Sequence, residues 1–374
     1  MCEPINNLDS LITVAKRDNN NKRPYLIVNP KQGKHIPVRP SEAFALFKAI
    51  TDKIDKNVKG ENLIVISFAE TATAIGAFAA CFMEKSPVYI QTTREEINGA
   101  DYIFFSESHS HASVQKLVKN GLLESLNRAD EVVFIEDEIT TGNTILGLVE
   151  ELKKYSHDIR FTAVSILNGM SEQSLERFKK NNIDVLYISK SQNEKYINEV
   201  DKYNYNNANY VDCTEKTVCG YDEKYYRGFI NPRIAVKSSE YKYSCCKFAE
   251  SFVSDNIIED NSSVLVLGTE EFMYPALMAA LELEKKYASC DIKFHATTRS
   301  PILVSSDKGY PLRSRYRLIS PYENERTTYV YNIEKYDRVF VLTDAPIKEN
   351  PGINSVINAL KSVGNKEITV CRWC

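Results

Sequence analysis

The run Val132-Val133-Phe134-Ile135-Glu136-Asp137-Glu138-Ile139-Thr140-Thr141-Gly142-Asn143-Thr144 restricts what this chain can become more than any other segment. Four apolar residues between acids read as a buried strand of a parallel sheet. Thr-Thr-Gly-Asn-Thr then reads as a tight turn that opens a helix from Ile145 to Lys154. Side chains at the end of such a strand project into the crevice where open α/β sheets bind ligands. The neighbouring carboxylates of Glu136 and Asp137 can accept hydrogen bonds there from two adjacent sugar hydroxyls. Thr140, Thr141, Gly142, Asn143 and Thr144 offer N–H groups and hydroxyls to a phosphate at the positive end of the helix. Gly142 lets the backbone come close to that phosphate. Thr144 can also serve as a helix cap, and the two roles are compatible. The pattern suits a sugar that carries a phosphate.

The rest of the chain alternates in the same way. A polar lead-in over residues 1–22, with one short helix, precedes a strand at 24–28 and a helix capped by Ser41. Strands are expected at 63–67, 88–91, 132–135, 161–167 and 183–188, with helices at 71–83, 117–126, 145–154 and 171–180. This is a doubly wound α/β domain spanning 23–190. Residues 191–230, rich in Asn, Tyr, Lys and Asp, read as a linker, and a second α/β domain covers 231–374. The halves echo each other. Val65-Ile66-Ser67-Phe68-Ala69-Glu70 and Val266-Leu267-Gly268-Thr269-Glu270-Glu271 each lead into an Ala-rich helix. Strands then end in Thr-Thr-Arg at Arg94 and Arg299, and apolar strands end at Asp137 and Asp344. The spacing from Arg to Asp is 43 positions in one half and 45 in the other. The second domain therefore reads as a diverged copy, or as an unrelated α/β domain that shares a common pattern. It lacks a Thr-Thr-Gly-x-Thr loop, so it should bind the same ligand poorly or not at all.

The run at 132–144 resembles the phosphoribosyl pyrophosphate (PRPP) motif of type I phosphoribosyltransferases. Glu138 departs from it, since most members carry an apolar residue there. Arg23 to Pro30, Gly33 to Pro37, Phe68 to Gly76 and Ser108 to Ala112 resemble the orotate-phosphoribosyltransferase-like proteins of bacterial tellurium-resistance and stress operons. Their C-terminal domain is named for a Thr-Arg-Ser-Pro (TRSP) motif, and Thr298-Arg299-Ser300-Pro301 stands here at the expected place. The resemblance covers residues 23–374. It implies a type I phosphoribosyltransferase-like parallel sheet with flanking helices. It also implies an enzyme that moves 5-phosphoribosyl from PRPP to a nitrogen of a base-like acceptor, or runs the reverse reaction, in the synthesis of a nucleoside-like metabolite. Mg²⁺ would be bound mainly through PRPP, with Glu136 and Asp137 as ribose ligands and the protein's metal-side carboxylates.

The resemblance also assigns roles to residues outside the run. Phe68-Ala69-Glu70-Thr71 occupies the pyrophosphate turn. Relatives often carry Gly and a basic residue there, so Glu70 either faces a metal, leaves pyrophosphate to other groups, or simply opens a helix. Arg94 ends a strand where a cation reaches pyrophosphate, and the polar stretch 94–115 fits a lid. His109 and His111 lie in it as catalytic candidates. An extended chain would face them oppositely, so one points inward. A metal pair lacking a third ligand and two solvated histidines are the other readings. Lys34-His35 is either a hood over the site or a surface loop. Arg299 and Ser300 line an anion site in the second domain or sit in a solvated basic loop.

Composition narrows the alternatives. A net charge of −3 gives no footprint for nucleic acid. This also counts against the second reading, a PRPP- or nucleotide-sensing regulator of the same fold. The longest apolar stretch, Ala74 to Met83, is about half a membrane span, and the N-terminus lacks a signal-peptide pattern. The expectation is a soluble, cytoplasmic protein with no membrane partner. Dimers are common in the resembling families, which leaves a homodimer open. Nine cysteines without a framework read as reduced thiols, and Cys371-Arg372-Trp373-Cys374 is a weak candidate for a metal or redox pair.

Overall fold

The structure is a computed structural model that describes residues 11–18, 20, 23–105, 115–156, 158–206, 208–215, 220–346 and 350–374. The chain opens with a hairpin, β1 (Thr13–Lys16) and β2 (Tyr25–Val28), and a long helix, α1 (Pro40–Asn57). Then follow β3 (Leu63–Ser67), α2 (Thr73–Phe82), β4 (Val88–Gln91) and the hairpin β5 (Tyr102–Phe104) and β6 (Lys116–Val118). Next come α3 (Leu122–Leu126), β7 (Glu131–Ile139), α4 (Asn143–Leu152), β8 (Arg160–Asn168), α5 (Glu172–Lys180) and β9 (Ile183–Lys190). After α6 (Asn193–Val200), β10 (Asn209–Asp212), β11 (Asp222–Tyr226) and β12 (Val236–Lys237), the alternation resumes. It runs through α7 (Ser238–Asp255), β13 (Ser263–Gly268), α8 (Tyr274–Lys286), β14 (Asp291–Ala296), the hairpin β15 (Ser314–Ile319) and β16 (Thr327–Tyr331), β17 (Arg338–Thr343), α9 (Pro351–Ser362) and β18 (Ile368–Trp373).

These elements form two compact units. The N-terminal unit is Phe47–Ser191 with Ile230–Cys245, and the C-terminal unit is Met1–Leu46, Gln192–Phe229 and Cys246–Cys374. This grouping differs from a simple cut near residue 190, for reasons visible in the packing. Ala15 and Val28 of the first hairpin are buried with Ile302, Val304, Tyr310 and Leu312. The stretch expected to be a linker supplies β10, which pairs with β15, and β11, which pairs with β18. In turn Val236 and Lys237 add an antiparallel edge to β4. Of the polar lead-in, Thr13 to Lys16 pair as a strand with β2, and residues 1–10, where the expected short helix could lie, are outside the described residues.

The N-terminal unit is a six-stranded sheet in the order β12-β4-β3-β7-β8-β9, parallel except at β12. Its core brings Phe68, Phe134, Phe161 and Phe178 together under α4 and α5, and burying each ring contributes about 1.5–3 kcal/mol. Helix α2 lies very close to β3. A Cβ on Gly76 would come within 2.1 Å of the Ser67 Cβ, so only glycine permits that approach.

The C-terminal unit holds a five-stranded parallel sheet in the order β11-β18-β17-β13-β14. Four of its strands, β18-β17-β13-β14, repeat the order β8-β7-β3-β4 with the same alternating connections. The backbone frame repeats too. Phe68 N donates to Ile135 O at 3.2 Å, and Thr269 N donates to Leu342 O at 3.2 Å. Ala69 N donates to Thr92 Oγ1 at 2.8 Å, and Glu270 N to Thr297 Oγ1 at 2.9 Å. Thr93 exchanges two backbone bonds with Lys116, as Thr298 does with Tyr329. Each sheet even carries a short antiparallel partner on its β4 or β14 edge, Val236–Lys237 in one and Val38 in the other. The two units therefore share one topology, as the echoing motifs suggested.

Candidate functional site

In the N-terminal unit β3 and β7 are neighbours, while β4 and β8 lie on their outer sides. Chain connections leave in opposite directions from that point, which opens a crevice beyond the carboxyl ends of the strands. Strand β3 stops at Ser67, opposite Ile135, but β7 runs on to Ile139 paired with β8 alone. Glu136, Asp137 and Glu138 therefore sit on the overhanging part of β7 at the crevice, and all three are half-buried. The acids belong to the strand itself, which extends four residues past the end expected at Ile135.

These carboxylates repel one another. Burial of the Glu136 carboxyl, then the charges of Asp137 and Glu138, push its pKa well above the ordinary 4.5. Arg94, three residues past the end of β4, opposes that shift, so its charge acts across the crevice mouth. A carboxyl in this state is poised to ionise when a cation or hydroxyl donors arrive.

The turn after β7 is built to leave a helix N-terminus open. Gly142 caps α4 with φ +73°, and no side chain caps the helix there or places an acid in its first turn. Gly142 is buried against Phe178, and a Cβ added to it would lie 2.3 Å from that ring. Arg177 on α5 braces the same turn, donating from Nη1 to Asn143 Oδ1 at 3.0 Å and from Nη2 to Thr141 O at 3.1 Å. Thr140 and Thr144 are half-buried, and Thr141 and Asn143 are exposed. Arg177 and Phe178 carried no signal in the sequence. Helix α5 was legible, but which of its faces meets the turn is decided by packing.

Around this centre the other expected residues divide. Phe68 is buried in the core, its ring 6.0 Å from that of Phe105. The amides of Phe68 and Ala69 bond to Ile135 O and Thr92 Oγ1, so the first half of the turn expected to hold pyrophosphate is engaged internally. The Ala69–Glu70 peptide is cis, and Glu70 O accepts from Thr73 Oγ1 at 2.9 Å. Glu70 and Thr71 are half-exposed ahead of α2. His109 and His111 lie outside the described residues.

Lys34 and His35 are neither hood nor surface loop. Both are buried in the C-terminal unit, where Lys34 Nζ donates to Glu270 O and Thr297 O at 2.9 Å. A buried ammonium needs such acceptors, and two carbonyls at strand ends provide them. Arg299 is no solvated loop residue either. It pairs with Glu270 at 2.5 Å and Glu271 at 3.4 Å, while Ser300 O accepts from the Tyr331 hydroxyl. Cys371 is buried in β18, which pushes its thiol up to about 12, whereas Cys374 is exposed three residues on. Among the described residues no group of three or more His, Cys, Asp or Glu is arranged to hold a metal ion. No described helix is long and apolar enough to cross a membrane.

Comparisons with known proteins place this geometry. Residues 11–190 match the family model described as phosphoribosyl transferase, and residues 238–360 match the one described as the TRSP domain C-terminal to it. Similar solved structures include adenine phosphoribosyl transferase from Trypanosoma brucei, at 21% identity over 38% of this chain and 64% of that one, with a TM-score of 0.30. The adenine enzyme of Giardia lamblia is 13% identical over 49% of this chain and 96% of its own, with a TM-score of 0.34. Orotate phosphoribosyltransferase from Aeropyrum pernix is 14% identical over 44% and 78%, with a TM-score of 0.28. No match was found among curated proteins. The structural likenesses are distant, and the family models carry the assignment. Residues 11–190 are thus similar to the phosphoribosyl transferase family, and residues 238–360 to the TRSP domain that accompanies it.

Proposed function

We propose that the N-terminal unit transfers the 5-phosphoribosyl group of PRPP to a nitrogen of a base-like acceptor, or runs that reaction in reverse. The observation that carries this reading is the overhang of β7. It sets Glu136 and Asp137 at the crevice directly before an open, braced helix N-terminus. In the forward direction the acceptor nitrogen forms a bond to ribose C1 and loses its proton. The bond from C1 to the pyrophosphate oxygen breaks, its electron pair leaves with pyrophosphate, and C1 inverts. The residues present serve such a step by positioning and electrostatics. Glu136 and Asp137 accept from the ribose hydroxyls and fix the ring. The amides at the start of α4 and the hydroxyls of Thr141 and Thr144 hold the 5′-phosphate. Arg177 and Phe178 keep that turn in shape, and Arg94 faces the departing pyrophosphate.

Among the described residues no cage for a metal ion is preformed, which suits a Mg²⁺ that would arrive on the substrate, with Glu136 and Asp137 as the carboxylates that would help hold it. When bound, that ion would neutralise charge on the leaving group. The product would be a nucleoside-like monophosphate. The test is release of pyrophosphate from PRPP and Mg²⁺ across a panel of nitrogenous bases. Release with one base, abolished in Asp137→Asn, is the expected result. PRPP binding without release for any base would favour the sensor reading and count against catalysis.

A further inference from the structure

The crevice of the C-terminal unit has the same frame but different side chains. Strands β13 and β17 are neighbours, and β14 and β18 flank them, so ligand-binding geometry recurs at their carboxyl ends. Arg299 follows β14 at the position that Arg94 holds after β4. The turn after β13 is Thr269-Glu270-Glu271, and the β15–β16 hairpin supplies Ser320 and Arg326.

Glu270, Arg299, Arg326 and Ser320 meet at one point. The Glu270 carboxylate is fully buried. Its Oε2 takes Arg299 Nε at 2.5 Å and Arg326 Nη2 at 3.3 Å, and its Oε1 takes Ser320 Oγ at 2.5 Å. Ser320 Oγ also lies 2.9 Å from Arg326 Nη2, which fixes the donors relative to one another. Two arginines and a hydroxyl converging on one carboxylate form a cradle whose geometry suits phosphate oxygens equally well. Glu270 reaches it from a backbone with φ +46°, a conformation uncommon outside glycine and concentrated at functional sites. Buried ion pairs of this kind hold a turn no better than apolar packing would. Their place at the switch point is therefore better explained by a ligand than by stability.

The route used in the other unit is closed here. Asn350 caps α9 by accepting from Ile353 N at 3.0 Å, and it donates to Pro321 O at 2.8 Å. A Cβ on Gly352 would lie 2.4 Å from Pro321 N, so the helix N-terminus is packed against the hairpin. An anion in this crevice must be held by side chains.

We propose that the C-terminal unit contains an oxyanion site made by Arg299, Arg326 and Ser320. The Glu270 carboxylate is its resident occupant, and a phosphate or pyrophosphate group is the ligand that replaces it. The site stands on the geometry of this unit alone and does not depend on transfer chemistry in the other.

The test is calorimetric titration of inorganic pyrophosphate into the full-length protein. Glu270→Gln keeps the shape of the side chain but removes the competing charge. It is expected to tighten pyrophosphate binding at least about tenfold, or 1.4 kcal/mol. Adding Arg299→Gln should abolish that gain, and adding Arg94→Gln should leave it. An affinity unchanged by Glu270→Gln, or a gain that survives Arg299→Gln, would overturn the proposal. Should Glu270→Gln not fold, Glu270→Asp withdraws the carboxylate by one methylene. It must then show the same direction and the same dependence on Arg299, and an unchanged affinity would equally overturn the proposal.

Discussion

At the scale of single residues, Gly142 and Glu136 make the most specific demands. Gly142 needs both a positive φ and empty space beneath it, because Phe178 fills the place of a side chain. Gly142→Ala is expected to destabilise the protein by about 1–3 kcal/mol through overpacking and backbone strain. PRPP affinity should fall with it, because the turn shifts. Thermal melting and titration calorimetry on one preparation check both effects, and an alanine variant with unchanged affinity would argue against a phosphate at this turn. Glu136 has a raised pKa, so the folded chain holds that proton more tightly than the unfolded chain. Its contribution to stability is then present below the ordinary value of 4.5 and is lost as pH rises through the folded-state pKa. Glu136→Gln cannot ionise, so it should melt higher than wild type at pH 8, with the difference vanishing toward pH 4. Binding should run the other way. Wild-type affinity for PRPP should rise with pH as the carboxylate forms, and the Gln variant should bind weakly and without that dependence.

At the scale of elements, α5 is the support on which the turn at 140–144 rests. Ser171 caps it by accepting from Ser174 N, and the helix then presents Arg177 and Phe178 to the turn. Arg177→Ala should weaken PRPP binding about tenfold, the effect of one charge-assisted hydrogen bond, with little change in melting temperature. Arg177→Lys should not restore it, because a point charge cannot bridge Asn143 and Thr141 together. Full affinity in both variants would leave α5 without a role in binding. The contrast between β7–α4 and α5 also explains what the sequence could reveal. Glu136, Asp137 and the turn to Thr144 are contiguous, so their order alone declares a strand end, a glycine turn and a helix start. Arg177 meets the turn from 34 residues away, and that contact leaves no local pattern. Lys34 was misleading because a Lys-His pair in a Gly- and Pro-bearing loop resembles surface, and partners distant in sequence, the carbonyls of Glu270 and Thr297 among them, make its burial tolerable. The hairpin β15–β16 hid for a similar reason. Its strands mix Arg and Ser with aromatic residues, and half-buried Arg315 is held by Asp18 and Ile302 O from distant parts of the chain, contacts that leave no local pattern.

At the scale of the whole molecule, the two units share one topology, yet neither is a continuous stretch of chain. Residues 11–46 pack with the C-terminal unit, while 230–245 complete the N-terminal one. A fragment of residues 11–190 spans the whole phosphoribosyl transferase match but lacks Val236–Lys237, which cover the β4 edge. Ile234 and Ala235, which pack on the core, are missing as well. That fragment is expected to show no cooperative thermal transition, and a sharp melt with native-like circular dichroism would contradict the division of the chain into these two units. The units differ at their crevices. One keeps paired acids and an open helix N-terminus, and the other fills the equivalent space with Glu270, Arg299 and Pro321. The central claim is that the donor site lies in the N-terminal unit alone. Calorimetric titration of PRPP with Mg²⁺ into the full chain, beside a Glu136→Ala/Asp137→Ala variant, tests it most directly. The predicted result is one tight site per chain that disappears in the variant. Binding that survives both substitutions undiminished, or no binding to the wild-type protein with any acceptor present, would contradict it.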